Sequence, residues 1–130
     1  MKVLQFDFPR VASRMDWFYI YPLGDVHIGA HNCAENQFRR IVNMIRTDPR
    51  AYWVGGGDYL DSIILQDSQR FDPGVLPAWM LTGGSEKIRK KIKDMVAAQK
   101  ERFCTIVEPI KDRCMGLVSH QFKVLILRKP

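Results

Sequence analysis

Phe38, Ile41, Val42 and Ile45 recur at the i, i+3, i+4, i+7 spacing that lines one face of an α-helix. Asn32, with Glu35 three residues later, offers a cap for its start, and Asp48-Pro49 ends it, because proline disfavours helical geometry in the residue before it. The rhythm changes on either side. Trp17 to Leu23 is rich in aromatic and branched residues, which suits a strand buried on both faces, with Pro22 as the point where that strand leaves its ladder. Ala51 to Val54 reads as a second short strand, broken into a turn by Gly55-Gly56-Gly57. Strand, helix, strand is the βαβ unit of an open parallel sheet, and such sheets carry their sites at the carboxyl ends of the strands.

The flanking pattern extends this α/β reading to a single domain over residues 1–130. Lys2 to Phe8 alternates like a strand and stops at Pro9. Signals weaken between Asp61 and Gly84, where Ile63-Ile64-Leu65 suggests a short helix and Phe71–Gly74 and Thr82–Gly84 suggest turns. Ser85 then caps one long helix with Ile88, Ile92, Met95, Val96, Phe103 and Ile106 on its inner face, ending before Pro109. Met115 to Val118 is a candidate strand, and Val124 to Leu127 is the last apolar run. Trp17, Phe18, Tyr19, Tyr21 and Trp53 lie within strands, which points to core residues rather than a base-stacking platform.

Charge changes the picture modestly. The net charge is +6, and seven basic residues (Lys87, Arg89, Lys90, Lys91, Lys93, Lys100, Arg102) against three acids fall between Glu86 and Arg102. That favours polyanionic partners such as nucleic acid or phosphate esters, although a solvated helix face is the commoner meaning of such a run. Cys33, Cys104 and Cys114 are odd in number and lack CxxC spacing, which argues against a disulfide framework or a cysteine zinc site. No apolar run approaches the ~20 residues that span a bilayer. Met1 to Pro9 is too short, and acidic too early, for a signal peptide, so the expectation is a cytoplasmic protein with no membrane partner.

The candidate chemistry sits at the two strand ends. Asp25 and His27 are one residue apart, so in extended chain both side chains face one way and can chelate one divalent ion. Asp58, after the second strand, is a third ligand deliverable to the same point. Mixed oxygen and nitrogen donors suit Mn, Fe or Zn better than calcium. The competing reading makes these acids turn residues at helix entrances. Gly56 and Gly57 allow a phosphate to approach the backbone, or simply form the strand-end turn.

Gly24-Asp-Val-His-Ile-Gly29 followed by Gly57-Asp-Tyr-Leu-Asp61 resembles the first two motifs of the calcineurin-like metallophosphoesterases. The resemblance covers residues 16–62. It implies the amino-terminal half of an αββα sandwich and metal-dependent hydrolysis of phosphomonoesters or phosphodiesters, nucleic-acid and nucleotide phosphates among them. By that likeness Asp25 and His27 hold the first metal, Asp58 bridges to a second, and Asp61 stands behind the ligands. His31 stands there too, or is a loop histidine. The family's third motif, Gly-Asn-His-Glu, is degraded here to Gly116-Leu-Val-Ser-His-Gln121, which loses the asparagine ligand and leaves His120 as a candidate general acid or an ordinary surface histidine. No histidine follows His120, so the family's later histidine motifs are missing and one ion per chain is expected. A half sandwich exposes an apolar sheet face, which implies a homo-oligomer or a separate second-half subunit. The alternative function is a catalytically inactive remnant acting as a basic nucleic-acid-binding or interaction module.

Overall fold

The computed structural model describes residues 17–62, 74, 76–118 and 124–125. The expected strand at 2–8, the helix at 63–65, most of the 71–74 turn and His120 lie outside the described residues. Within them the chain is mixed α/β. Strand β1 (Tyr19–Gly24), helix α1 (Glu35–Thr47) and strand β2 (Ala51–Gly57) form the βαβ unit, with β1 and β2 parallel and adjacent. Helices α2 (Ser85–Lys93) and α3 (Met95–Val107) and a 3₁₀ segment, Glu108–Arg113, lead to β3 (Cys114–Val118). Strand β3 pairs parallel with β2, and the short β4 (Val124–Leu125) pairs antiparallel with β3, giving the order β1-β2-β3-β4.

Helix α1 buries Phe38, Val42 and Ile45, three of the four residues whose spacing predicts it. They meet Leu23, Ile28, Ala51, Trp53, Phe103, Ile106 and Ile110 in one core. The Trp53 indole reaches across that core, where its N–H donates to the Ile110 carbonyl at 2.9 Å, so the one polar atom of a large buried ring is satisfied. The carboxyl end of α1 is closed by Arg113, whose guanidinium donates to the carbonyls of Ile45 at 2.7 Å and of Asp48. A cation on the last free carbonyls of a helix also offsets the negative end of its dipole. This bond fixes α1 to the segment that enters β3.

Several expectations are corrected. The start of α1 has no side-chain cap: Ala34 occupies the capping position. Glu35 turns instead to Arg39 at 2.8 Å and to Arg102 of α3 at 2.7 and 2.8 Å, because two guanidinium partners outcompete one backbone N–H. Strand β1 is not buried on both faces, since among the described residues it lies at the sheet edge, with Tyr19, Ile20 and Pro22 exposed. Pro22 stays in the ladder opposite Val54, which an edge position tolerates. Trp17 is 68% exposed and so is not core, unlike Trp53. The long basic helix is two helices. Asp94 leaves helical geometry and its carboxylate accepts from the Ala97 N–H at 3.0 Å, so an aspartate inside the apparent periodicity ends one helix and caps the next. Gly84, not Ser85, precedes α2. A 3₁₀ segment at Ala78–Leu81, which buries Met80, had no sequence signal. No described helix is long and apolar enough to cross a membrane.

Candidate functional site

The glycine triplet continues β2 rather than breaking it, and that is the first determinant of the site. Leu23 pairs with Gly55 but Gly24 pairs with Gly57, so Gly56 is one residue too many and the ladder bulges there. Glycine suits two of these positions because their surroundings approach closely. A β-carbon on Gly24 would sit 3.1 Å from the Cα of Gly56, and one on Gly55 would collide with the Tyr59 hydroxyl and Leu117.

Past the bulge the two chains do not separate. Asp25 N–H donates to Gly57 O at 3.0 Å, Val26 and His27 N–H both donate to Asp58 O at 2.9 and 3.1 Å, and Ile28 N–H donates to Tyr59 O at 2.8 Å. Asp61 N–H then donates back to Ile28 O at 3.1 Å, and Ile28 bridges Leu60 as a parallel pair. The two loops are therefore zipped together by backbone. Within them Asp25, His27 and Asp58 take left-handed conformations, with φ of 54°, 49° and 50°, and Ser62 follows at 56°. Aspartate and histidine visit that region more readily than most residues, yet each instance costs on the order of 1 kcal/mol relative to relaxed backbone. Among the described residues, three of the four non-glycine positions with positive φ carry the ligands expected from the sequence.

The side chains converge in part. The His27 Nε2 lies 2.9 Å from the Asp25 Oδ1, and both groups face solvent, with 44% and 88% of their side-chain areas exposed. A hydrogen bond between the imidazole and the carboxylate accounts for this spacing. The donor chemistry fits the borderline metals as well. Among the described residues no three His, Cys, Asp or Glu side chains form a group able to hold an ion, and Asp58 meets the first loop through its backbone carbonyl, which accepts from Val26 and His27.

A cleft of about 240 Å³ opens beside Asp25, between the end of β1 and the start of α1, lined by Gly24, Val26, Ala34, Gln37 and Phe38 among others. Gly56 is exposed, while Gly57 is buried with a φ of 97° and spends its carbonyl on Asp25. Asp61 is half-buried behind the zipped loops. His31 is exposed and lines a separate groove with Cys33, Glu35, Trp79 and Arg102. Burial raises the Cys33 thiol above its ordinary value, and the nearby Glu35 carboxylate adds to that, so it is a poor nucleophile.

Two residues near the loops escaped the sequence reading. Tyr59 stands beside the bulge with its ring 4.8 Å from Phe103, and burial raises its phenol pKa, only partly offset by a backbone hydrogen bond from Gly57. Gln99 of α3 is fully buried and accepts from the Ser62 N–H at 3.0 Å. A polar residue on an inward-facing helical stripe was the available signal for Gln99.

The basic cluster divides when placed. Lys91 donates to the carbonyls of Trp79 and Thr82 at 2.8 and 2.9 Å, and Arg102 pairs with Glu35 while its guanidinium sits 4.7 Å from the Trp79 ring. Both are committed to structure. Lys87, Arg89, Lys90 and Lys93 are exposed on α2, which buries no residue.

Fold and loops together define an α/β protein with a polar, strained site at the carboxyl ends of two adjacent parallel strands. No family model, curated protein or solved structure matches the chain.

Proposed function

We propose that the zipped loops form the metal site of a cytoplasmic phosphoesterase related to the calcineurin-like metallophosphoesterases. The observation that carries this reading is the contact between Asp25 and His27, 2.9 Å apart on left-handed backbone and tied by hydrogen bonds to the chain at Asp58. Backbone strain concentrated at solvent-facing polar side chains is the pattern expected where a ligand repays it. In this reading Asp25 and His27 hold a Mn, Fe or Zn ion, and Asp58 swings its carboxylate to the same ion from the adjoining loop. A bound divalent ion would acidify water and neutralise phosphoryl charge. The cleft beside Asp25 receives the ester, and Gly56, lacking a side chain, leaves room for its phosphate. Asp61 steadies the loop behind the ligands, and His120 is the candidate acid for the leaving group. Further donors come from a second copy or a separate second-half subunit.

The test is hydrolysis of aryl phosphate mono- and diesters by the full chain with Mn²⁺, Fe²⁺ or Zn²⁺. Turnover that needs the added ion and disappears in both His27→Ala and Asp58→Asn supports the assignment. Wild-type protein inert with every ion and ester, or turnover indifferent to those substitutions, overturns it.

A second reading has its own observation. Helix α2 has no fully buried residue and exposes Lys87, Arg89, Lys90 and Lys93, which suits a basic binding module for nucleic acid without turnover. Affinity for single- or double-stranded oligonucleotide that falls steeply with salt, alongside absent hydrolysis, would favour it.

A further inference from the structure

We infer that Gln99 is a positioning residue that holds the Asp25–Gly29 and Asp58–Ser62 loops in register. Helix α3 turns Met95, Gln99, Phe103 and Ile106 inward, and Gln99 is the one buried polar residue among the described positions, with no exposed surface. Its Oε1 accepts from the N–H of Ser62, itself at a φ of 56°. That donor fixes which way the carboxamide faces, and so directs Nε2 away from Ser62. On that side lies Gly29, at a φ of 108°, packed so closely that a β-carbon there would overlap Nε2, Cδ and Cγ of Gln99.

One carboxamide therefore touches the last residue of each loop. Its Nε2 has no hydrogen-bond partner among the described residues, an arrangement that packing alone would not select. A methionine fills similar volume and strands no donor. What methionine lacks is an acceptor for Ser62 and a planar head that fits under Gly29. One turn further along α3, Phe103 presses on Tyr59 of the second loop at 4.8 Å, so the helix braces the loop pair at two successive turns. The register of Asp25 and His27 against Asp58 depends on this brace. The functional part of the inference rests on the metal reading above, while the brace itself does not.

The experiment compares wild type with Gln99→Met, Gln99→Glu and Ile106→Val, the last a core change on the same helix face. Amide hydrogen exchange at Ser62, thermal midpoint and Mn²⁺ affinity are measured on each full-length protein. The expected result is faster Ser62 exchange and roughly tenfold weaker Mn²⁺ binding in Gln99→Met, the scale seen when a group supporting a metal ligand is removed. Ile106→Val, with a comparable loss of thermal midpoint, keeps wild-type Mn²⁺ affinity. Gln99→Glu, which retains an oxygen for Ser62, restores slow exchange. Unchanged Ser62 exchange in Gln99→Met, or an equal loss of affinity in Ile106→Val, overturns the inference. If wild type takes up no Mn²⁺, the metal reading fails by itself. The brace is then decided by exchange: faster at Ser62 in Gln99→Met than in Ile106→Val upholds it, and equal rates overturn it.

Discussion

The end of the β1–β2 pair and helix α2 are both rich in charge, yet they are built in opposite ways. At the strand ends, Asp25, His27 and Asp58 sit on backbone that is hydrogen-bonded across two loops and strained at each position. On α2, Lys87, Arg89, Lys90 and Lys93 sit on relaxed helix held by half-buried Ile88 and Ile92 and by Lys91, and make no demand on the loops. Strain that persists must be over-determined by its surroundings, whereas a solvated helix face demands nothing of its neighbours. The difference teaches that charge density is a poor guide to a site, and that how firmly the backbone is held is a better one.

Phe103 should break the comparison most completely, because it stacks on Phe38 and meets Tyr59 at a tilt, and so joins α1, α3 and the second loop. Phe103→Ala should cost about 3–5 kcal/mol in denaturant unfolding. Any matched alanine substitution on the exposed face of α2, such as Lys90→Ala, should stay within about 0.5 kcal/mol. Arg102→Ala comes next, since it removes the bidentate partner of Glu35 and the cation over Trp79 together. A loss of about 1–2 kcal/mol is expected for that half-buried network, and Arg39→Ala should cost less because its pair is more exposed.

The same network predicts a pH dependence. Burial pushes the Glu35 carboxyl up, but hydrogen bonds from Arg102 and Arg39 outweigh it and hold the group below its ordinary value of 4.5. A depressed folded-state value means that the contribution is fully present above pH 4.5 and is lost as pH falls through the lower folded value. Unfolding midpoints of wild type and Glu35→Gln should therefore converge on acidification. A gap that stays constant down to the acid transition would contradict the network. Among the positions that hold the structure, the smallest effect expected is at Asp58. Asp58→Gly relieves a left-handed residue and should change stability by under about 1 kcal/mol, while weakening metal binding.

Much of the βαβ unit was legible because its determinants are local. The stripe of Phe38, Val42 and Ile45 needs only helical periodicity, and Asp48-Pro49 ends the helix by sterics within a dipeptide. Asp25 and His27 do meet, but not on the extended chain from which their pairing was expected: both are left-handed, and that conformation depends on the neighbouring loop. What depends on distant partners was not legible. Gly55-Gly56-Gly57 reads as a turn until Tyr59 and Leu117, packed against Gly55, and the positive φ of Gly57 show why a strand there needs glycine. Glu35 reads as part of a cap until Arg102, far along the chain, claims it. Asp94 sits inside an unbroken apolar periodicity, and its bond to Ala97, which starts a second helix, is a choice between two local structures that the pattern does not rank. Gln99 is the clearest case, because its partner Ser62 belongs to a stretch with no periodic signal.

The most direct test of the account is metal content of the purified full-length chain by elemental analysis, on wild type and Asp58→Ala after equilibration with Mn²⁺ and gel filtration. One ion per chain is expected in wild type and its loss in Asp58→Ala, with the fold of the variant intact by circular dichroism. No ion in wild type, or an ion retained without Asp58, would contradict the claim that the two zipped loops build one metal site.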